Sequence, residues 1–161
     1  HLTGALLANA AGVSLTHVPY KGSAPALNDT LGGHADAYFD YPVAMEPLIR
    51  QGKLRGLAVM GPARVGSLPD LPTIREAGYP AATNVGWSAL YMPANTPAEI
   101  VARMAQAVDN AMQSPEMTQR YTAALGSGLM TGQSGNRLNS YLTSEIARWK
   151  KIVEISGATL G

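Results

Sequence analysis

His17-Val18-Pro19-Tyr20-Lys21-Gly22-Ser23-Ala24-Pro25-Ala26-Leu27 reads as a short strand, a glycine turn and the start of a helix. Ser23 is placed to act as N-cap, with Ala24 and Pro25 in the first helical turn, where a proline forfeits no needed hydrogen bond. Pro25 apart, the N–H groups of the turn then point out of the helix end. Unpaired donors and the helix dipole act together there, which makes the turn a ready site for a carboxylate or phosphate. Lys21 adds a positive charge one residue before the glycine. The same residues also describe an ordinary capped strand-to-helix connection, so the neighbouring sequence has to choose between the two.

Before this stretch, residues 2–11 (LTGALLANAA) are rich in alanine and leucine and predict a helix ending at Gly12. Residues 14–19 alternate like a strand. After it, helix is expected from Ala24 to Leu31, stopped by Gly32-Gly33. A second strand is expected over 35–40 (ADAYFD), a helix from Pro42 to Arg50, and a third strand over 54–60 (LRGLAVM). That β-α-β-α-β order with short connections predicts a parallel, helix-covered sheet. The Pro- and Gly-rich segment 61–84 has room for one short helix near Thr73–Ala77. Residues 85–92 (VGWSALYM) read as a further strand.

Beyond that point the pattern becomes helical. Thr96-Pro97-Ala98-Glu99 has the form of a capping box with proline at the first helical position, and Ile100, Val101, Met104, Val108 and Met112 recur at helical spacing, with both methionines expected in the core. Ser114-Pro115-Glu116 restarts a helix reaching about Leu125, and Leu129-Met130 is a brief extended piece. A long last helix follows, with Leu138, Tyr141, Leu142, Ile146, Trp149, Ile152 and Val153 along one face. The chain therefore divides near residue 85, into an α/β part (1–85) and a mostly helical part (86–161).

Composition excludes several functions. The 161 residues are 46% hydrophobic and 14% charged, a globular balance with enough chain for a real core. Twelve Lys and Arg against eleven Asp and Glu give a net charge of +1. The basic residues are scattered without aromatic interleaving, which argues against nucleic acid. With no cysteine there is no disulfide, thiolate nucleophile or cysteine-held metal. No apolar run approaches the ~20 residues of a membrane span. The first residues lack a basic region followed by an apolar block, and the chain opens at His1-Leu2 inside a helical pattern, as a processed or truncated product would.

The candidate catalytic groups are few. His1, His17 and His34 have no metal-ligand spacing, and His17 reads as a satisfied core or edge histidine. Gly22-Ser23-Ala24 is not a G-x-S-x-G elbow, and no acid is positioned behind His17. Gly32-Gly33 fits neither phosphate-loop spacing. No catalytic residue, metal site or cofactor is expected. Asp40 is the acid of interest: it ends a predicted strand at the edge where ligands of open α/β sheets bind. Its plainer role is N-cap of the helix beginning near Pro42. Trp87 and Tyr91 share a strand face and read as core.

Val18-Pro19-Tyr20-Lys21-Gly22-Ser23-Ala24-Pro25-Ala26-Leu27-Asn28-Asp29 followed by Leu31-Gly32-Gly33 resembles the tripartite tricarboxylate transporter receptors, the Bug family of periplasmic solute-binding proteins. Phe39-Asp40, the stretch from Gly52 to Val59, Leu68-Pro69-Asp70-Leu71-Pro72-Thr73, Glu76-Ala77-Gly78, Pro93-Ala94-Asn95-Thr96-Pro97 and Glu145-Ile146-Ala147-Arg148-Trp149 extend the resemblance, in order, over nearly the whole chain. It implies an α/β fold of the type II periplasmic-binding-protein kind, with one parallel-sheet lobe (1–85) and the C-terminal helical part of the other (86–161). It implies a non-enzymatic periplasmic receptor that takes a small carboxylate solute (a dicarboxylate, tricarboxylate or aromatic acid) and delivers it to membrane transporter subunits.

Carried onto this sequence, the ligand-binding residues are Tyr20, Gly22, Ser23, Ala24, Asp40 and His1. The turn would supply amides and the Ser23 hydroxyl, Asp40 would order the pocket or meet a polar group of the ligand, and His1 would end a loop that faces it. The resemblance further implies an additional N-terminal portion ahead of these residues, so that the stretch from His1 to Gly161 is expected to be a fragment or to rely on a second chain. The helices of the second part would therefore expose apolar faces unless a second copy or another chain covers them. Two alternatives stand beside the receptor: a non-binding remnant or oligomerisation module of the same fold, and an α/β-cleft hydrolase or transferase, for which no nucleophile–base pair is visible.

Overall fold

Glycine and proline set the ends of the helices. In the computed structural model, which describes residues 1–119 and 135–157, α1 runs Leu2–Ala11, α2 Ser23–Leu31, α3 Pro42–Arg50, α4 Ala98–Met112 and α5 Gly135–Ser156, with a 3-10 turn at Pro80–Ala82. The expected helix end near Leu125 and the extended piece Leu129-Met130 lie outside the described residues. Gly12 closes α1 with a left-handed φ of 66°, and its amide reaches back to the Ala8 and Asn9 carbonyls, as glycine C-caps do. Pro42 opens α3 at a position where its missing N–H costs nothing.

The parallel sheet expected from the β-α-β-α-β order is not formed among the described residues. Of the four strand-patterned segments, only 54–60 makes a bridge. Val59 donates to the Pro72 carbonyl at 2.8 Å and accepts from the Ile74 amide at 2.8 Å, a single parallel pairing between Val59 and Thr73. Alternating side chains give a segment the propensity for a strand. The strand itself needs a second backbone to pair its N–H and C=O groups in register, and no other such bridge forms among the described residues. Their apolar residues face outward instead: Val18 is 51% exposed, Leu90 and Tyr91 63%. Tyr91 is thus not core, while Trp87 is half-buried with its ring edge-on to Tyr141.

Two further expectations are corrected by local chemistry. Thr96 does not cap α4, because its hydroxyl donates backwards to the Pro93 carbonyl (2.8 Å) and the N-cap is Pro97. The reciprocal capping geometry appears at Thr73 and Glu76. The Glu76 carboxylate accepts the Thr73 amide at 2.7 Å, and the Thr73 hydroxyl accepts the Glu76 amide at 3.2 Å. This box opens a single turn over residues 74–78 rather than the short helix expected at Thr73–Ala77.

One part of a small core lies where α1, the 3-10 turn and α5 meet, and Ala26, Val59, Val65 and Ile74 are buried outside these elements. α1 packs on both of the others, and Ala8, Ala82 and Ile152 are buried. On α5 the half-buried and buried line is Leu138, Tyr141, Leu142, Glu145, Trp149 and Ile152, while Ile146 is 69% exposed. A charged residue thus takes the central inward position that the apolar pattern had given to Ile146. On α4, Ile100, Val101, Met104 and Val108 are exposed, so Met104 is not core; Met112 is half-buried.

Candidate functional site

The turn before α2 is shaped by Gly22. It is the N-cap, at φ 106°, in the region that side-chain-bearing residues avoid. Ser23 is therefore the first helical residue and not the cap, and its side chain makes no capping hydrogen bond. A helix leaves its first four N–H groups without intrahelical partners, and here Pro25 occupies the fourth of those positions. Three amides remain, those of Gly22, Ser23 and Ala24, all exposed at the positive end of the helix dipole.

Residues 38–41 fold against this turn. The Tyr38 hydroxyl lies 2.5 Å from Asp40 Oδ2 and 3.2 Å from the Ser23 carbonyl oxygen, so it joins the two segments. Asp40 Oδ1 accepts the Tyr41 amide at 2.8 Å. The N-cap of α3 is Tyr41, so Asp40 serves the helix start from one residue earlier than expected. Burial pushes the Asp40 carboxyl up. The Tyr38 hydroxyl, the Tyr41 amide and the neighbouring Ser23 outweigh it, and the group titrates below its ordinary range. Burial and the contact with Asp40 hold the Tyr38 phenol protonated. Tyr38 escaped sequence reading, although the period of two over 35–40 does place it on the side of Asp40 and opposite Phe39.

Two other expected residues are engaged locally. The Tyr20 hydroxyl donates to Asp29 Oδ2 on α2 at 2.8 Å, and that bond raises the tyrosine pKa. His1 stacks on His17, ring centroids 3.7 Å apart and planes 4° from parallel; both are exposed, so His17 is not a core histidine. The structure thus brings Ser23 and Asp40 together through Tyr38, and ties Tyr20 and His1 to other partners. Among the described residues no three His, Asp or Glu gather as a metal ion would need.

Residues 1–158 match the family described as tripartite tricarboxylate transporter family receptor. The chain belongs to that family. A UPF0065 protein from the clcB-clcD intergenic region of Pseudomonas knackmussii is 35% identical over 154 residues, 95% of this chain and 90% of the relative. Among solved structures, Rpa4515 of R. palustris with adipate is 36% identical with a TM-score of 0.87, covering 98% of this chain and 52% of that one. The periplasmic binding protein BugD is 32% identical with a TM-score of 0.85, at the same two coverages. MatC from Rhodopseudomonas palustris with bound malate is 34% identical with a TM-score of 0.78, covering 94% of this chain and 52% of that one. This receptor-family chain therefore spans about half the length of the solved structures it matches. Over that half it shares their fold.

Proposed function

We propose that the chain holds a small dicarboxylate as part of a periplasmic solute receptor that serves a tripartite-type transporter, with no chemical turnover. The observation that carries this reading is the Gly22 turn, which leaves three amides free at the start of α2. These bind a carboxylate, with the Ser23 hydroxyl as a fourth donor. Asp40, clamped by Tyr38, orders the edge of the turn. Tyr20 and His1 bound the site through their contacts with Asp29 and His17. In this reading residues 1–85 form the ligand-holding lobe and 86–161 the returning segment. The adipate and malate held by the related structures support a solute of that size.

Thermal-shift titration with adipate, malate and the monocarboxylate hexanoate tests this. Both dicarboxylates should raise the melting temperature, and Ser23→Ala should weaken binding by about tenfold, the worth of one hydrogen bond to a charged group. No shift with either dicarboxylate would overturn the reading.

A second reading, self-association, is favoured by the exposed apolar line on α4 together with Leu57, Leu90 and Tyr91. Light scattering across a concentration series decides it: a monomer at every concentration removes it.

A further inference from the structure

We propose that Glu145 and Arg148 on α5 are positioning residues for the carboxylate turn, acting through residues 38–41. The proposal rests on the receptor reading above and names the part of the fold that sets the geometry of its site.

Glu145 is 9% exposed, and its carboxylate is the hub of a hydrogen-bonded network. Arg148 reaches it with Nε on Oε1 (2.8 Å) and Nη2 on Oε2 (3.0 Å), while the indoles of Trp87 (2.7 Å) and Trp149 (3.2 Å) both donate to Oε2. A buried carboxylate persists only when paired and hydrogen-bonded, and this one has four donors. Arg148 then passes Nη1 to the Asn84 side-chain oxygen (2.9 Å), and Asn84 Nδ2 donates to the Thr3 hydroxyl on α1 (2.8 Å). Asn84 is itself buried, and its backbone amide is fixed on the Met60 carbonyl (2.8 Å). The hub therefore holds two pieces at once: α1 at Thr3 and the segment 84–87 at Asn84 and Trp87.

Each of those pieces carries a glycine on which the site residues rest. Next to Thr3, a Cβ placed on Gly4 would sit 3.0 Å from the Phe39 ring. Between Asn84 and Trp87, a Cβ on Gly86 would sit 2.5 Å from the Tyr41 hydroxyl. Phe39 and Tyr41 flank Asp40, and Tyr38 beside them bonds the Ser23 carbonyl. Residues 38–41 thus rest on two surfaces that the Asn84–Thr3 hydrogen bond joins and that the Glu145–Arg148 pair backs through Asn84 and Trp87. A staple that merely added stability would have no need to meet the site segment on both sides.

The test uses amide hydrogen exchange at Tyr41 and Ala44, whose N–H groups are bonded to Asp40 and to the Tyr41 carbonyl, together with adipate titration. Glu145→Gln and the milder Thr3→Val, which cuts only the last link, are compared with Glu76→Gln, which loosens a separate ion pair with Arg64. The first two should speed exchange at Tyr41 and Ala44 by about tenfold and weaken adipate binding by at least about fivefold, with Glu76→Gln leaving both unchanged. Equal effects from all three variants, or unchanged exchange in Glu145→Gln and Thr3→Val, would overturn the proposal. Should the parent bind no dicarboxylate, the receptor reading fails, and the exchange result alone decides whether α5 places residues 38–41.

Discussion

Glu76 shows how much one exposed side chain does for a stretch without regular structure. Its carboxylate accepts from Arg64 Nε, from the Thr73 amide and from the Thr73 hydroxyl, while Arg64 Nη1 holds the Pro69 carbonyl. The Arg64 hydrogen bond and the Thr73 amide lower its pKa from 4.5 to about 2. A carboxyl whose folded pKa lies below its unfolded value stabilises the fold above the unfolded pKa, and that contribution fades as pH falls. The window here is pH 4.5 down to about 2. Asp40 and Glu145 are shifted in the same direction and add acid sensitivity of the same sign. The urea midpoint should therefore fall steadily below pH 4.5, and Glu76→Gln should flatten part of that fall while lowering the midpoint at pH 7. A Gln variant with the parent's pH profile would show that the Arg64–Glu76 pair does not hold the segment.

At the scale of elements, the helices were legible and the sheet was not. Gly12, the Gly32-Gly33 pair, Pro42 and Gly52 mark helix ends that local chemistry alone enforces, and α1, α2 and α3 fall within a residue of where those signals put them. Strand-patterned residues such as Val18, Leu57 and Leu90 carry the right alternation, yet pairing is a property of two segments and no local signal supplies the second. The candidate site was legible in part for the same reason. Gly22 and Ser23 are read from the turn, whereas Tyr38 and Glu145 matter through contacts made across 15 and 58 residues of sequence.

The contact of Gly86 with Tyr41 is the sharpest of these long-range contacts. Gly86→Ala should cost about 1–3 kcal/mol by overpacking, read as a lowered melting temperature. Adding Tyr41→Phe, which deletes the crowding hydroxyl, should return most of it, an interaction that a double-mutant cycle isolates. Additive losses in the double variant would mean that the two residues do not press on each other.

Across the whole molecule, the described residues bury few side chains and leave several long apolar ones in water. One line of contacts runs from α5 to α1 and segment 84–87, from those to residues 38–41, and from Tyr38 to the turn before α2. The central claim is that this turn binds a carboxylate through amides released by the backbone of Gly22. Isothermal titration of adipate into the parent chain and into Gly22→Ala tests it most directly, because an alanine at φ 106° must move the turn while leaving the donors chemically intact. The account predicts saturable binding by the parent and a loss of at least about tenfold in the variant, with its helical circular dichroism retained. Saturable binding of equal strength in both, or no heat from the parent, would contradict it.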